Sequence, residues 1–114
     1  MLSRNLLLEI YPNYDKALNM RGISYMEAGE LEKARTTFLE IIQINYRFAT
    51  AYHNLGLLYV RLQPPDIGTA TNYFKKAIET NGNYKQSYLA LATIYRQQGR
   101  LAEAEQLENI ANSL

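Results

Sequence analysis

The sequence predicts an all-α protein, a solenoid of antiparallel helix pairs, and three observations carry that prediction. A pattern of small and aromatic residues recurs at a nearly constant interval. Apolar residues in both halves of each recurrence follow helical spacing. Glycine or proline interrupts the pattern wherever a helix would have to end. In this 114-residue chain, Leu18-x-x-x-Gly22-x-x-Tyr25 aligns with Tyr52-x-x-x-Gly56-x-x-Tyr59 and with Tyr88-x-x-x-Ala92-x-x-Tyr95. Gly22 to Gly56 and Tyr25 to Tyr59 are each 34 residues, and Gly56 to Ala92 and Tyr59 to Tyr95 are each 36. A second set follows each tyrosine: Leu31, Ala34 and Phe38 match Ile67, Ala70 and Phe74. Leu101 and Ala104 match the first two of these, with Glu108 in place of the aromatic, and Ile41, Ala77 and Ala111 then correspond. A fixed period of this length marks a stacked repeat, in which each helix pair buries its apolar face against the next.

Helices are expected near 15–28, 31–44, 49–62, 67–80, 85–98 and 101–113. Ala28-Gly29-Glu30 and Gln98-Gly99-Arg100 place a glycine where a helix C-cap needs a left-handed residue. Gln63-Pro64-Pro65-Asp66 stops the third helix, because proline cannot continue it, and Asp66 is suited to cap the next. Asn81-Gly82-Asn83 is a further turn signal. The two extra residues of the middle unit fall in the proline loop. Gly22, Gly56 and Ala92 allow the paired helices a close approach, with Ala34, Ala70 and Ala104 facing them. The recurring tyrosines fill the wider gaps, their phenol oxygens reaching water or a backbone group. Core packing therefore accounts for Tyr25, Tyr52, Tyr59, Tyr88 and Tyr95, five of the ten tyrosines, an unusual number beside three phenylalanines and no tryptophan.

Composition removes several function classes. A hydrophobic fraction of 47% supplies a core and argues against a disordered chain. Net charge is +1, so no strong field gathers nucleic acid or anionic lipid. There is no cysteine, which excludes disulfides and cysteine-based zinc sites and fits a cytoplasmic setting. Leu6-Leu7-Leu8 is too short for a signal-peptide core, and no apolar run approaches the roughly 20 residues that span a bilayer. A soluble protein is expected. No catalytic grouping, cofactor or metal is expected either. His53 is the only histidine and lacks neighbouring ligands, the serines sit in no nucleophile motif, and the glycines are dispersed. Lys75-Lys76 is too short a basic run to suggest a nucleic acid.

The registered positions resemble the tetratricopeptide repeat. Ala51-Tyr52-His53-Asn54-Leu55-Gly56-Leu57-Leu58-Tyr59 is a close match to its first helix, Gly29-Glu30-Leu31-Glu32-Lys33-Ala34 to its turn, and Ala70-x-x-x-Phe74-x-x-Ala77 to its second helix. The resemblance implies a right-handed superhelical array within one domain. It divides the chain into a partial preceding helix or N-terminal cap at 1–14, a first repeat at 15–48, a second at 49–84 with a two-residue loop insertion, and a third at 85–114 with a polar C-terminal helix. It departs from the family pattern at Arg21, at Glu108, and at Asn45 and Asn81, where a closing proline is common. Glu105, Glu108, Asn109 and Asn112 suit an outer end, whereas the N-terminal end reads as incomplete.

The same resemblance implies a concave groove lined by the first helix of each unit. The expected rows are Lys16, Asn19, Met20, Ile23 and Glu27; then Thr50, His53, Asn54, Leu57 and Arg61; then Gln86, Leu89, Ala90, Thr93, Arg96 and Gln97. Met20, Ile23, Leu57 and Leu89 would bury apolar side chains, and Asn19, Asn54 and Gln86 would bond a peptide backbone. Lys16, Arg61 and Arg96 outnumber Glu27, favouring a mildly acidic ligand. Cochaperones of this family that hold a C-terminal carboxylate use Lys, Asn and Arg from three first helices. Only Asn54 matches, with Asn19, Ile23, Gln86 and Ala90 at the other places, so no such clamp is expected. The expected function is a non-catalytic scaffold or adaptor holding a peptide or helix of another protein. The alternatives are a structural module that self-associates through its N-terminal end, and the substrate-selecting repeat portion of a larger protein.

Overall fold

The computed structural model describes residues 4–114, with side chains from Leu6 onward. Positions 1–3 of the expected N-terminal helix or cap lie outside the described residues. The element order is α1 (Arg4–Ile10), α2 (Tyr14–Glu27), α3 (Leu31–Ile44), α4 (Ala49–Arg61), α5 (Ile67–Thr80), α6 (Lys85–Gln97) and α7 (Leu101–Asn112). No strand occurs among the described residues. Helices α2/α3, α4/α5 and α6/α7 pack as pairs, α3 meets α4 and α5 meets α6, and α1 rests on α3. The result is an elongated stack of 47 × 32 × 18 Å.

The breaks between helices have the local causes expected of them. Gly29 and Gly99 adopt φ of 78° and 79°, the left-handed region in which a Cβ is strained. Each places the next residue's N–H on a tyrosine carbonyl one turn back: Glu30 N donates to Tyr25 O at 2.9 Å, and Arg100 N to Tyr95 O at 2.8 Å. The middle unit makes the same contact across its longer loop. Asp66 N donates to Tyr59 O at 2.9 Å, so the two inserted residues are accommodated in the loop without changing how the pair closes. Asp66 then caps α5, accepting from Thr69 N at 3.1 Å and from Thr69 Oγ1 at 2.7 Å.

The missing prolines are replaced by asparagine turns. Asn45 Oδ1 accepts from Arg47 N at 3.1 Å, and Asn81 Oδ1 from Asn83 N at 3.0 Å. A short polar side chain that bonds the backbone two residues on closes the chain much as a turn does. Tyr52 and Tyr88 finish the same junctions. Their hydroxyls donate to the carbonyls of Tyr46 at 3.0 Å and Gly82 at 2.8 Å. Leu18, at the corresponding place in the first pair, is buried without needing such a partner.

The core runs the length of the stack in two clusters. One gathers Leu18, Met26, Ala34, Phe38, Ile41, Leu55 and Leu58, and the other Ala70, Phe74, Leu91, Ala92, Ile94, Tyr95 and Ala104. Leu57 and Tyr59 pack on both and join them. Ala34, Ala70 and Ala104 are fully buried, as the small-residue pattern requires. The atoms nearest Gly22 and Gly56 are nonetheless the rings of Phe38 and Phe74 rather than these alanines.

Candidate functional site

Helices α2, α4 and α6 stand side by side, and the residues expected on their shared face fall into three groups. Exposed members are Lys16, Met20 and Glu27 on α2, Arg61 on α4, and Gln86, Leu89, Thr93, Arg96 and Gln97 on α6. Half-buried members are Asn19, Ile23, Thr50, Leu57 and Ala90. His53 and Asn54 are buried, at 8% and 7% exposure. Apolar surface on this face comes chiefly from Met20, which is 67% exposed, and Leu89, which is 39% exposed.

His53, expected to present a polar contact in the groove, is instead a strut between helices. Its Nδ1 lies 2.8 Å from Ser87 Oγ on α6, and Ser87 is fully buried. The imidazole is flanked by the rings of Phe74 and Tyr84, each with its centroid 5.2 Å away. Burial disfavours the charged form and pushes its pKa down to about 4. A neutral ring bonding a serine satisfies both groups without placing a charge in the core. His53 and Ser87 are 34 residues apart, whereas the interval between their units is 36, so the repeat register pairs His53 with Leu89 and did not mark this contact.

Asn54 is likewise engaged within the protein. Its Nδ2 donates to Asn19 Oδ1 at 2.9 Å, linking α4 to α2. That bond uses the Asn54 amide N–H and the Asn19 oxygen, and leaves the Asn19 amide group and the Asn54 oxygen outside the pair. Arg96 is held by α7: its Nε donates to Glu108 Oε2 at 3.1 Å, and its Nη2 to Glu108 Oε1. Glu108 stands at the repeat position where the first two pairs carry phenylalanine, and its carboxylate is partly exposed in this ion pair. Among the described residues, no carboxylate forms an ion pair with the face's other cations, Lys16 and Arg61.

Two residues outside the expected set also matter. Asp15, only 6% exposed, accepts from Asn45 Nδ2 at 2.9 Å and ties the start of α2 to the end of α3. Val60 is 37% exposed and lines a depression with Leu57, Ala90, Thr93 and Gln97. It holds the α4 place that Arg96 holds on α6, and that correspondence is the signal that would have found it. Among the described residues, no three His, Asp or Glu side chains converge as a metal site would need. No helix among them is long and apolar enough to cross a membrane.

Known proteins agree with this architecture. Models of the tetratricopeptide repeat match residues 22–63, 49–84 and 73–106, and so run from 22 to 106. Anaphase-promoting complex subunit 3 of Schizosaccharomyces pombe is 28% identical over 91 residues, covering 80% of this chain and 13% of that protein. Protein O-mannosyl-transferase TMTC3 of Homo sapiens is 21% identical over 94 residues, covering 82% of this chain and 10% of that protein. The chain thus spans a small part of the curated relatives it matches. Two solved structures share its fold. The second TPR of Spaghetti (RPAP3), bound to the HSP90 peptide SRMEEVD, superposes with a TM-score of 0.76 at 21% identity, covering 88% of this chain and 91% of that one. MamA does so with a TM-score of 0.66 at 19% identity, covering 96% and 83%. With the repeat models together matching residues 22–106 and the fold an all-α solenoid, the chain belongs to the tetratricopeptide-repeat family.

Proposed function

We propose that this chain is a non-catalytic scaffold that holds a peptide or helical segment of another protein against α2, α4 and α6. The observation that carries the reading is the face itself. Met20 and Leu89 stand exposed, Ile23, Leu57 and Ala90 lie half-buried between them, and the Asn19–Asn54 amide pair is set in its floor. Apolar side chains interrupted by a few fixed polar groups are what a peptide-recognition surface requires. The fold match solved with an HSP90 peptide supports a peptide as the type of ligand. It does not extend to that peptide. Asn54 is the one clamp residue in place, and Asn19, Ile23, Gln86 and Ala90 bring no cation to meet a terminal carboxylate. With Arg96 neutralised by Glu108, Lys16 and Arg61 against Glu27 leave a mild preference for an acidic segment.

The test is affinity capture with the wild-type chain beside a Met20→Glu/Leu57→Glu/Leu89→Glu variant whose helicity is checked by circular dichroism. Partners retained equally by a folded triple variant would sink the groove reading. A second reading, self-association through the N-terminal end, is favoured by Ile10 and Tyr11, which are 50% and 56% exposed. A strictly monomeric mass at high protein concentration would remove it.

A further inference from the structure

The face described above is not uniform along the stack. Between α4 and α6, over α5, it sinks into a depression of about 220 Å³. Its walls include Leu57, Val60, Ala90, Thr93 and Gln97, and the buried ring of Phe74 contributes to its lining. The preceding junction is filled differently at the corresponding places. At the places of Val60, Ala90 and Thr93, that junction carries the larger Met26, Asn54 and Leu57. Met26 is buried, and Asn54 is drawn onto Asn19.

The charge beside the depression is equally local. Arg61 follows Val60 and lies one turn beyond Leu57, so it shares that wall's face. It is exposed, and none of the ion pairs among the described residues includes it. Arg96, the neighbouring cation on α6, is already held by Glu108.

We propose that this depression is the anchoring subsite of the groove: it takes an aliphatic side chain of a partner segment, and Arg61 meets an Asp or Glu beside that residue. The proposal rests on the groove reading and narrows its ligand to an acidic segment with an aliphatic anchor. An apolar pocket desolvates the anchor, which supplies affinity. The unpaired guanidinium selects the flanking charge.

The experiment selects short random peptides displayed on phage against the wild-type chain and measures the winners on variants. Val60→Met/Thr93→Leu fills the depression with residues the preceding junction already carries. Thr93→Leu alone, at an exposed site, serves if the double variant does not fold. Wild-type protein is expected to enrich Leu, Ile or Met next to Asp or Glu. Filling the depression should weaken those peptides about tenfold or more, and Arg61→Glu about fivefold, with the second loss shrinking at high salt. Peptides lost on Met20→Glu but bound equally by the filled variants would overturn the subsite while leaving the groove in place. Failure to select any peptide would overturn both.

Discussion

The ring of Phe38 occupies the space where Gly22 would carry a Cβ, which would stand 2.5 Å from its Cε1, and Phe74 lies against Gly56 at the same 2.5 Å. Both rings are buried and cannot swing away. At the third pair the ring is absent, Glu108 stands in its place, and Ala92 is accommodated where the others need glycine. Gly56→Ala is therefore expected to destabilise the fold despite alanine's better helix propensity. Overpacking costs about 1–3 kcal/mol, against a propensity gain of about 1 kcal/mol. Urea unfolding should show a lower midpoint. Phe74→Leu should cost less in the Gly56→Ala background than alone, a coupling that a double-mutant cycle reads directly.

The His53–Ser87 pair predicts a pH dependence. The folded-state pKa of His53 is lowered from 6.5 to about 4 by burial. Between those values the unfolded chain binds the proton and the folded chain does not, so acid favours unfolding there. The contribution is complete above 6.5 and declines as pH falls towards 4. His53→Gln removes that titration. Its unfolding midpoint should vary less with pH across this window than that of the wild type. Parallel curves for the two proteins would refute the assignment.

Asp66 caps α5 at the far side of the inserted loop. Asp66→Ala removes the acceptor for Thr69 N and Thr69 Oγ1, and Asp66→Ser keeps one for the backbone. Hydrogen bonds from the Thr69 backbone and hydroxyl hold the Asp66 carboxyl below its ordinary pKa. The stabilisation is thus present above the unfolded value and lost as pH falls through the folded one. Hydrogen exchange in the first turn of α5 should rise in Asp66→Ala and stay near wild type in Asp66→Ser.

The charge pattern predicts weak capture of a free acidic C-terminus. A peptide ending in consecutive carboxylates should give no saturable signal in fluorescence anisotropy. Adding cations with Asn19→Lys, Gln86→Lys and Ala90→Arg, while Asn54 stays, should create binding that salt abolishes. Tight binding by the wild type would show that the missing cations are supplied from elsewhere.

Much of the architecture was legible from particular residues. Gly29 and Gly99 marked helix ends because only a residue without a Cβ takes their positive φ cheaply. Pro64 and Asp66 located the insertion. Ala34, Ala70 and Ala104 marked the buried seam because no larger side chain fits there. These are local or periodic constraints, and they leave a trace in the order of residues.

The face for a partner was legible only in part. Its helices and most of its residues follow from the period, since position within a helix sets the direction of each side chain. Whether a given residue meets solvent or a neighbour depends on the separation of adjacent helices. His53 turned to Ser87, Arg96 to Glu108, and Asn54 to Asn19 because each found a partner within hydrogen-bond reach on another helix. The depression beside Val60 exists because three small residues from two helices meet there. The period, the helix ends and the small-residue seam came from the chain's own order. The orientation of its polar side chains and the shape of its groove were settled by packing between helices, because free volume and unpaired bonding groups belong to the junction and not to either helix alone.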